Sequence, residues 1–217
     1  MAQIKSKKRV ADHGEVFTSE REINAMLDLV ESETQNIEST FLEPACGSGN
    51  FLIEILDRKL NIVKSRYKKN QLQYECYAFI AVSSVYGIEI LEDNVKECRQ
   101  NLYQIFEKQY SNLFKKKCKD KLLESIHFVL ERNIIFGDAL TLKTIGKSPA
   151  AITFSQWSSL GNNKIKRKDF YYETMVDKPN YDKLHLVSDL GVDQYIPAPI
   201  KDYPPIHFLS ISDVKSN

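Results

Sequence analysis

The sequence predicts an α/β fold: a doubly wound, mostly parallel sheet with an irregular C-terminal extension. Three observations carry this expectation. Short apolar runs over residues 40–43, 85–90 and 133–140 alternate with helical stretches, an order that places crossover helices between parallel strands. The second and third runs close around an acidic residue, Glu89 and Asp138. The first runs into Glu43-Pro44-Ala45-Cys46-Gly47-Ser48-Gly49, a glycine-punctuated turn that leads into a helix-forming segment. Glycine lets a backbone approach a ligand closely, and a helix N-terminus is electropositive, so the turn suits a nucleotide-like or negatively polarised group. In such sheets ligands sit at the carboxyl ends of the strands.

Along the chain, residues 1–12 read as a flexible basic arm. Ile23, Met26, Leu27 and Val30 recur at helical spacing, with Ser19 and Glu22 placed for a capping box. Residues 32–39 read as polar linker. A helix is expected over 50–69, where Leu52, Ile55, Leu56, Leu60 and Val63 form a core stripe. Residues 71–84 fit either helix or strand and are assigned to helix, because their apolar positions do not alternate cleanly. The strand 85–90 precedes a long amphipathic helix over 93–117, carrying Val95, Cys98, Leu102, Ile105 and Phe106 on one side. Residues 122–130 are helical or irregular. After the strand 133–140, residues 149–154 are the next strand candidate, running into Ser155-Gln156-Trp157 at the fourth strand end. Beyond Leu160 the periodicity fades, and residues 161–217 hold five of the seven prolines.

Length and composition fit one domain of ~150 residues plus an appendage. The net charge of +1 is uninformative, but lysines and arginines cluster at 5–9, 115–121 and 164–168. Such runs are either solvated faces or contacts for a phosphate backbone. The four cysteines, Cys46, Cys76, Cys98 and Cys118, form no C-x-x-C pair, so neither a zinc site nor a disulfide framework is expected. No apolar run approaches the ~18 residues that span a bilayer. A cytoplasmic protein without membrane or metal is the expectation.

A lone Gly-x-Gly is a weak signal, and Gly49 to Glu89 is 40 residues, about twice the ~20 of the dinucleotide fingerprint. Glu89 could accept ribose hydroxyls or be a solvated strand end. Asp138 could accept from an exocyclic amine or serve as the N-cap of the next element. Thr18 could cap a helix or, with Phe17, lean over a ligand. It is their repetition on successive strand ends that makes a shared crevice the stronger reading.

Together these stretches resemble the amino-methylating DNA methyltransferases, specifically the N6-adenine branch of restriction–modification systems, over roughly residues 8–160. Gly14-Glu15-Val16-Phe17-Thr18-Ser19 resembles that family's N-terminal motif, which contacts the methionine part of S-adenosylmethionine. The stretch 42–52, with Glu43, Pro44, Ala45, Cys46, Gly47, Gly49, Asn50 and Phe51, is similar to the methionine-binding loop. Gly87-Ile88-Glu89-Ile90 resembles the ribose-binding strand, with Glu89 on the hydroxyls and Ile90 on adenine. Gly137-Asp138-Ala139 resembles the motif whose aspartate accepts from adenine N6. The resemblance implies a class I, Rossmann-like methyltransferase domain over 13–160 that uses S-adenosylmethionine, with residues 161–217 as a DNA or partner surface.

The resemblance also implies a catalytic (Asn/Asp/Ser)-Pro-Pro-(Tyr/Phe) motif at the strand after Asp138. That motif holds a target amine for in-line attack and stacks on the flipped base. Phe154-Ser155-Gln156-Trp157 stands there instead. Ser155 or Gln156 could supply the acceptor and Trp157 the stacking surface, or Trp157 could simply plug the crevice. Lys178-Pro179-Asn180-Tyr181 and Asp202-Tyr203-Pro204-Pro205 hold similar letters, but neither follows a buried strand in the right place. The expected activity is adenine-N6 DNA methylation. The alternatives are an inactive or partner-dependent cofactor-binding modification subunit, and an RNA or protein methyltransferase. DNA and a specificity or other restriction–modification subunit are the expected partners.

Overall fold

The computed structural model describes residues 6–13, 15, 18–176 and 197–213. The chain enters through three short helices, α1 (Lys7–His13), α2 (Glu20–Asp28) and α3 (Glu31–Thr34). The Ser19 side chain accepts from the Glu22 N–H while the Glu22 carboxylate accepts from the Ser19 N–H, closing the capping box. The segment expected to be a flexible arm is thus helical from Lys7. Arg9 ties it down by donating to Glu15 and to Asp93, a residue far along the chain.

β1 (Phe41–Glu43) leads through the glycine turn into α4 (Asn50–Tyr67) and α5 (Gln71–Ser83). β2 (Val85–Glu89) is followed by α6 (Glu92–Phe114), a single 3-10 turn at Lys115–Lys117, and α7 (Asp120–Asn133). β3 (Ile134–Asp138) completes three parallel strands in the order β1-β2-β3, with the two-residue β4 (Lys143–Thr144) antiparallel on β3.

The strands alternate their side chains between two cores, as the period of two requires. Val85 and Ile134 point into a large core shared with α4, α5, α6 and α7. Tyr86 and Ile88 point the other way, onto Ile152, Phe154 and Tyr172. The four long helices therefore share one core on one face. A doubly wound sheet would carry helices on both faces; among the described residues, strands, loops and a single helical turn cover the second one.

The cover is an antiparallel hairpin of β5 (Thr153–Ser159) and β6 (Lys164–Tyr171), followed by the one-turn α8 (Glu173–Val176). β7 (Lys201–Asp202) and β8 (Ile206–His207) both pair with β6, and a 3-10 turn over Phe208–Asp213 packs on α7. The boundary expected at 160 falls inside this hairpin, where Ser159 pairs with Ile165. β5 is also not a fourth parallel strand. Residues 139–152 hold β4, an antiparallel bridge from Ala151 to Lys143 and turns, with no helix, and β5 pairs antiparallel with β6 instead of joining the parallel strands.

The buried face of α4 contains a lysine. Lys59 is fully buried beside Leu52, Leu56, Leu60 and Val63. Its Nζ donates to the Ser39 carbonyl, to the Ile37 carbonyl at 3.4 Å and to Ser84 Oγ at 2.6 Å. It thereby pins the segment that feeds β1 to the start of β2, and burial brings its pKa down to about 7.

Candidate functional site

The turn after β1 folds over the carboxyl end of β2. Gly47 and Gly49 hold φ of 53° and 93°, a left-handed backbone that other residues rarely adopt. The Cys46 N–H donates to the Ile88 carbonyl at 3.0 Å, and the Gly47 N–H donates to Glu89 Oε2 at 2.8 Å. The other oxygen, Oε1, accepts from the Leu91 N–H at 2.9 Å. A buried carboxylate with a backbone N–H on each oxygen is held in place, with lone pairs left over on both. Asn101 donates to the Ser48 carbonyl at 3.1 Å and fixes the far side of the turn to α6.

Close packing shapes the floor. A Cβ built on Gly87 would stand 2.7 Å from Cys46 Sγ, and one on Gly49 would stand 2.7 Å from Cys98 Sγ. Cys46 and Cys98 are both buried, and the Cys98 thiol, then burial, pushes the Cys46 thiol up. These cysteines are packing units under the turn rather than nucleophiles.

Asp138 lies at the end of β3 and accepts from the Leu140 N–H at 2.9 Å, which holds its carboxyl below the usual carboxylate range. Ala139 is half-buried beside it, and Ile90 is 48% exposed at the end of β2. Asn50 and Phe51 open α4, with Phe51 packed partly into the core. Glu43 is half-buried at the end of β1, and Pro44 and Ala45 are exposed. Thr18 is half-buried just before the Ser19 cap. Phe17 lies outside the described residues. The parallel register thus brings the glycine turn, Glu89, Ile90, Asp138 and Ala139 to one end of the sheet.

Glu15 is a further residue at that end, which reading by motif did not single out. Its carboxylate accepts from Arg9 Nε at 2.5 Å and from Asn94 Nδ2 at 2.6 Å, closing α1 onto the start of α6. Asn94 lies far along the sequence from Glu15, so no local pattern announces that contact.

Ser155, Gln156 and Trp157 are not at that end. Trp157 Nε1 donates to Asn133 Oδ1 at 3.0 Å, and Asn133 Nδ2 donates to the Ser83 and Val85 carbonyls. Asn133 and Val85 mark the amino ends of β3 and β2, opposite the glycine turn. The Tyr86 hydroxyl donates to the Ser155 carbonyl at 2.9 Å, while Ser155 Oγ is occupied by Asp169 and Arg167. Gln156 is exposed, next to the groove outside β1. The three residues stand in the antiparallel β5–β6 hairpin and not at a fourth parallel strand end. Tyr203-Pro204-Pro205 also sits at the amino-end pole, against Trp157, and Lys178-Pro179-Asn180-Tyr181 lies outside the described residues.

Among the described residues no group of three His, Cys, Asp or Glu side chains is placed to hold a metal ion. No described helix is long and apolar enough to cross a membrane. No curated protein and no solved structure matched the chain. The family model of the MmeI DNA-methyltransferase domain matches residues 16–157, more than half of the sequence, and the match spans the glycine turn, Glu89 and Asp138. The chain belongs to the MmeI DNA-methyltransferase domain family.

Proposed function

We propose that the crevice at the carboxyl ends of β1, β2 and β3 binds S-adenosylmethionine, and that the chain serves adenine-N6 methylation of DNA in a restriction–modification system. The observation that carries this reading is Glu89, a buried carboxylate fixed by the Gly47 and Leu91 N–H groups at a strand end. The groups present fit the cofactor. Glu89 has acceptor capacity left for two ribose hydroxyls, and the exposed Ile90 offers an apolar face to a base. Asp138, whose carboxyl the Leu140 N–H holds below the usual carboxylate range, is an acceptor for an exocyclic amine. The turn from Glu43 to Phe51, with Thr18 and Phe17, would hold the methionine portion.

When bound, the cofactor supplies an electrophilic methyl group. The crevice residues orient it; alignment rather than proton abstraction is what they contribute. Trp157 contacts Asn133 and Ser155 contacts Tyr86, away from the glycine turn. That placement favours the partner-dependent reading, in which a second restriction–modification subunit contributes the groups that hold the target base.

Tritiated methyl transfer to DNA, RNA and protein, with nucleoside analysis of the product, tests the reading. The chain supplied with its restriction–modification partner is expected to yield N6-methyladenine in DNA, and the chain alone is expected to bind cofactor with little transfer. Label in RNA or protein but not in DNA contradicts the substrate assignment.

A further inference from the structure

β1 is paired on one side only. Its neighbour is β2, and no described strand lies on its other side. In doubly wound sheets the strand that leads into the glycine turn has neighbours on both sides, and the ligand sits where the strand order reverses. The Phe41 N–H donates to the Ser84 carbonyl at 2.9 Å, so Phe41 and Glu43 direct their backbone groups at β2. The period of two then turns the N–H and carbonyl of Leu42 to the open side. Such an edge is a template for a further strand, and proteins commonly guard it with lysine. β1 carries none, and Leu42 is 40% exposed.

Space flanks this edge. Leu42 is in register with Tyr86, and both line a groove of about 420 Å³ together with Phe154, Phe170 and Met175. Met175 is 47% exposed, and Lys168 is the only charged residue in the lining. At the amino end of β1 a second hollow, of about 480 Å³, is lined by Val30, Glu33, Glu38 and Phe41 among others. Glu33 and Glu38 are exposed there, and no basic residue faces them across the hollow. An apolar groove and an acidic entrance suit an extended segment that starts with basic residues and is apolar at alternate positions. In strand addition the backbone bonds give affinity, and pockets for alternate side chains give specificity. Laid parallel to β1, such a segment ends beside the glycine turn, at the pole of Glu89 and Asp138. Ser155 and Trp157 are held away from that pole by Tyr86 and Asn133.

We propose that the open edge of β1 takes a parallel β-strand from a second polypeptide, basic at its start and apolar at alternate positions, whose carboxyl end delivers the groups that hold the target base. What the strand delivers rests on the partner-dependent reading above. The pairing itself rests on the edge, the groove and the acidic entrance.

The probe is a labelled synthetic peptide, blocked at both ends, of two lysines followed by alternating valine and threonine. Its binding to the full chain is read by fluorescence anisotropy without cofactor. A failure of S-adenosylmethionine to bind, measured separately, therefore strikes the cofactor reading and not this one. Saturable binding is expected. The same peptide N-methylated along its backbone keeps its side chains but loses its donors, and is expected to bind at least tenfold more weakly. A peptide with the lysines moved to its carboxyl end is expected to bind more weakly at low salt, the difference shrinking as salt is added. Leu42→Pro removes an edge donor and leaves the β1–β2 bonds in place, since edge strands accept proline where the N–H faces outward. It is expected to weaken binding at least tenfold. Leu42→Lys, the guard that other edges carry, serves if the proline variant does not fold. Absence of saturable binding, equal binding of the N-methylated or the reversed peptide, or full affinity in a folded variant overturns the proposal. So does a wild-type dimer that Leu42→Pro dissociates, which assigns the edge to a second copy. Binding seen only after residues 177–196 are cut out assigns it to the chain's own segment and overturns the proposal equally.

Discussion

The Gly47 N–H donates to Glu89 Oε2 at 2.8 Å, joining the turn after β1 to the last residue of β2. The carboxylate does two jobs in consequence. It fixes the turn, and in the proposed reading its remaining lone pairs accept from the cofactor.

Glu89→Gln separates the two. The amide oxygen can still accept one backbone N–H, while the negative charge and one acceptor are lost. The variant is expected to melt within a few degrees of wild type and to bind S-adenosylmethionine at least tenfold more weakly, read by thermal denaturation and calorimetry.

The two glycines at the floor should respond differently to partner changes. Gly87→Ala drives its methyl against Cys46 Sγ and is expected to cost about 1–3 kcal/mol by overpacking. Cys46→Ala in the same chain should recover most of that, as urea midpoints would register. Gly49→Ala meets Cys98 but also carries φ of 93°, so Cys98→Ala should recover only part of its loss. Equal rescue at both sites would contradict the backbone argument.

Lys59 gives stability a pH dependence of definite sign. Its folded pKa of about 7 lies below the value of an unfolded lysine, ~10.4. Between those values the unfolded chain binds more protons, so stability rises with pH. From pH 7 to 9 this group is expected to add roughly 2 kcal/mol. Lys59→Met removes that rise and leaves the Ile37 and Ser39 carbonyls without their donor. Urea denaturation of both proteins at pH 7 and 9 reads the difference; an identical slope in the variant counts against the assignment.

Arg9 spans Glu15 and Asp93 and closes α1 over the start of α6. Arg9→Ala should leave the global unfolding midpoint nearly unchanged while speeding protease cleavage ahead of α2. A cleavage rate equal to wild type would mean that α1 is held by something else.

The half of the crevice formed by the glycine turn, Glu89 and Asp138 is legible in the sequence because its signals are local. Strand ends, a Gly-x-Gly turn and acidic residues can each be read within a few positions. The buried lysine is legible in principle, since Lys59 continues the spacing of Leu52, Ile55, Leu56, Leu60 and Val63. It escapes notice because lysine is not expected on an apolar stripe. α5 is ambiguous because it is buried on nearly all sides, which removes the amphipathic pattern that marks a helix. The link between Arg9 and Asp93 joins residues 84 positions apart, and no local pattern announces it. Trp157 departs furthest from its expected place. No helical run separates Asp138 from Thr153, and β5 pairs antiparallel with β6 outside the parallel sheet.

The central claim is that Glu89 and the glycine turn form a cofactor site. Titration calorimetry of the full chain with S-adenosylmethionine tests it most directly. One molecule bound per chain, with affinity lowered at least tenfold in Glu89→Gln, is the predicted result. Absence of binding to the folded wild-type chain, or undiminished affinity in the variant, would contradict it.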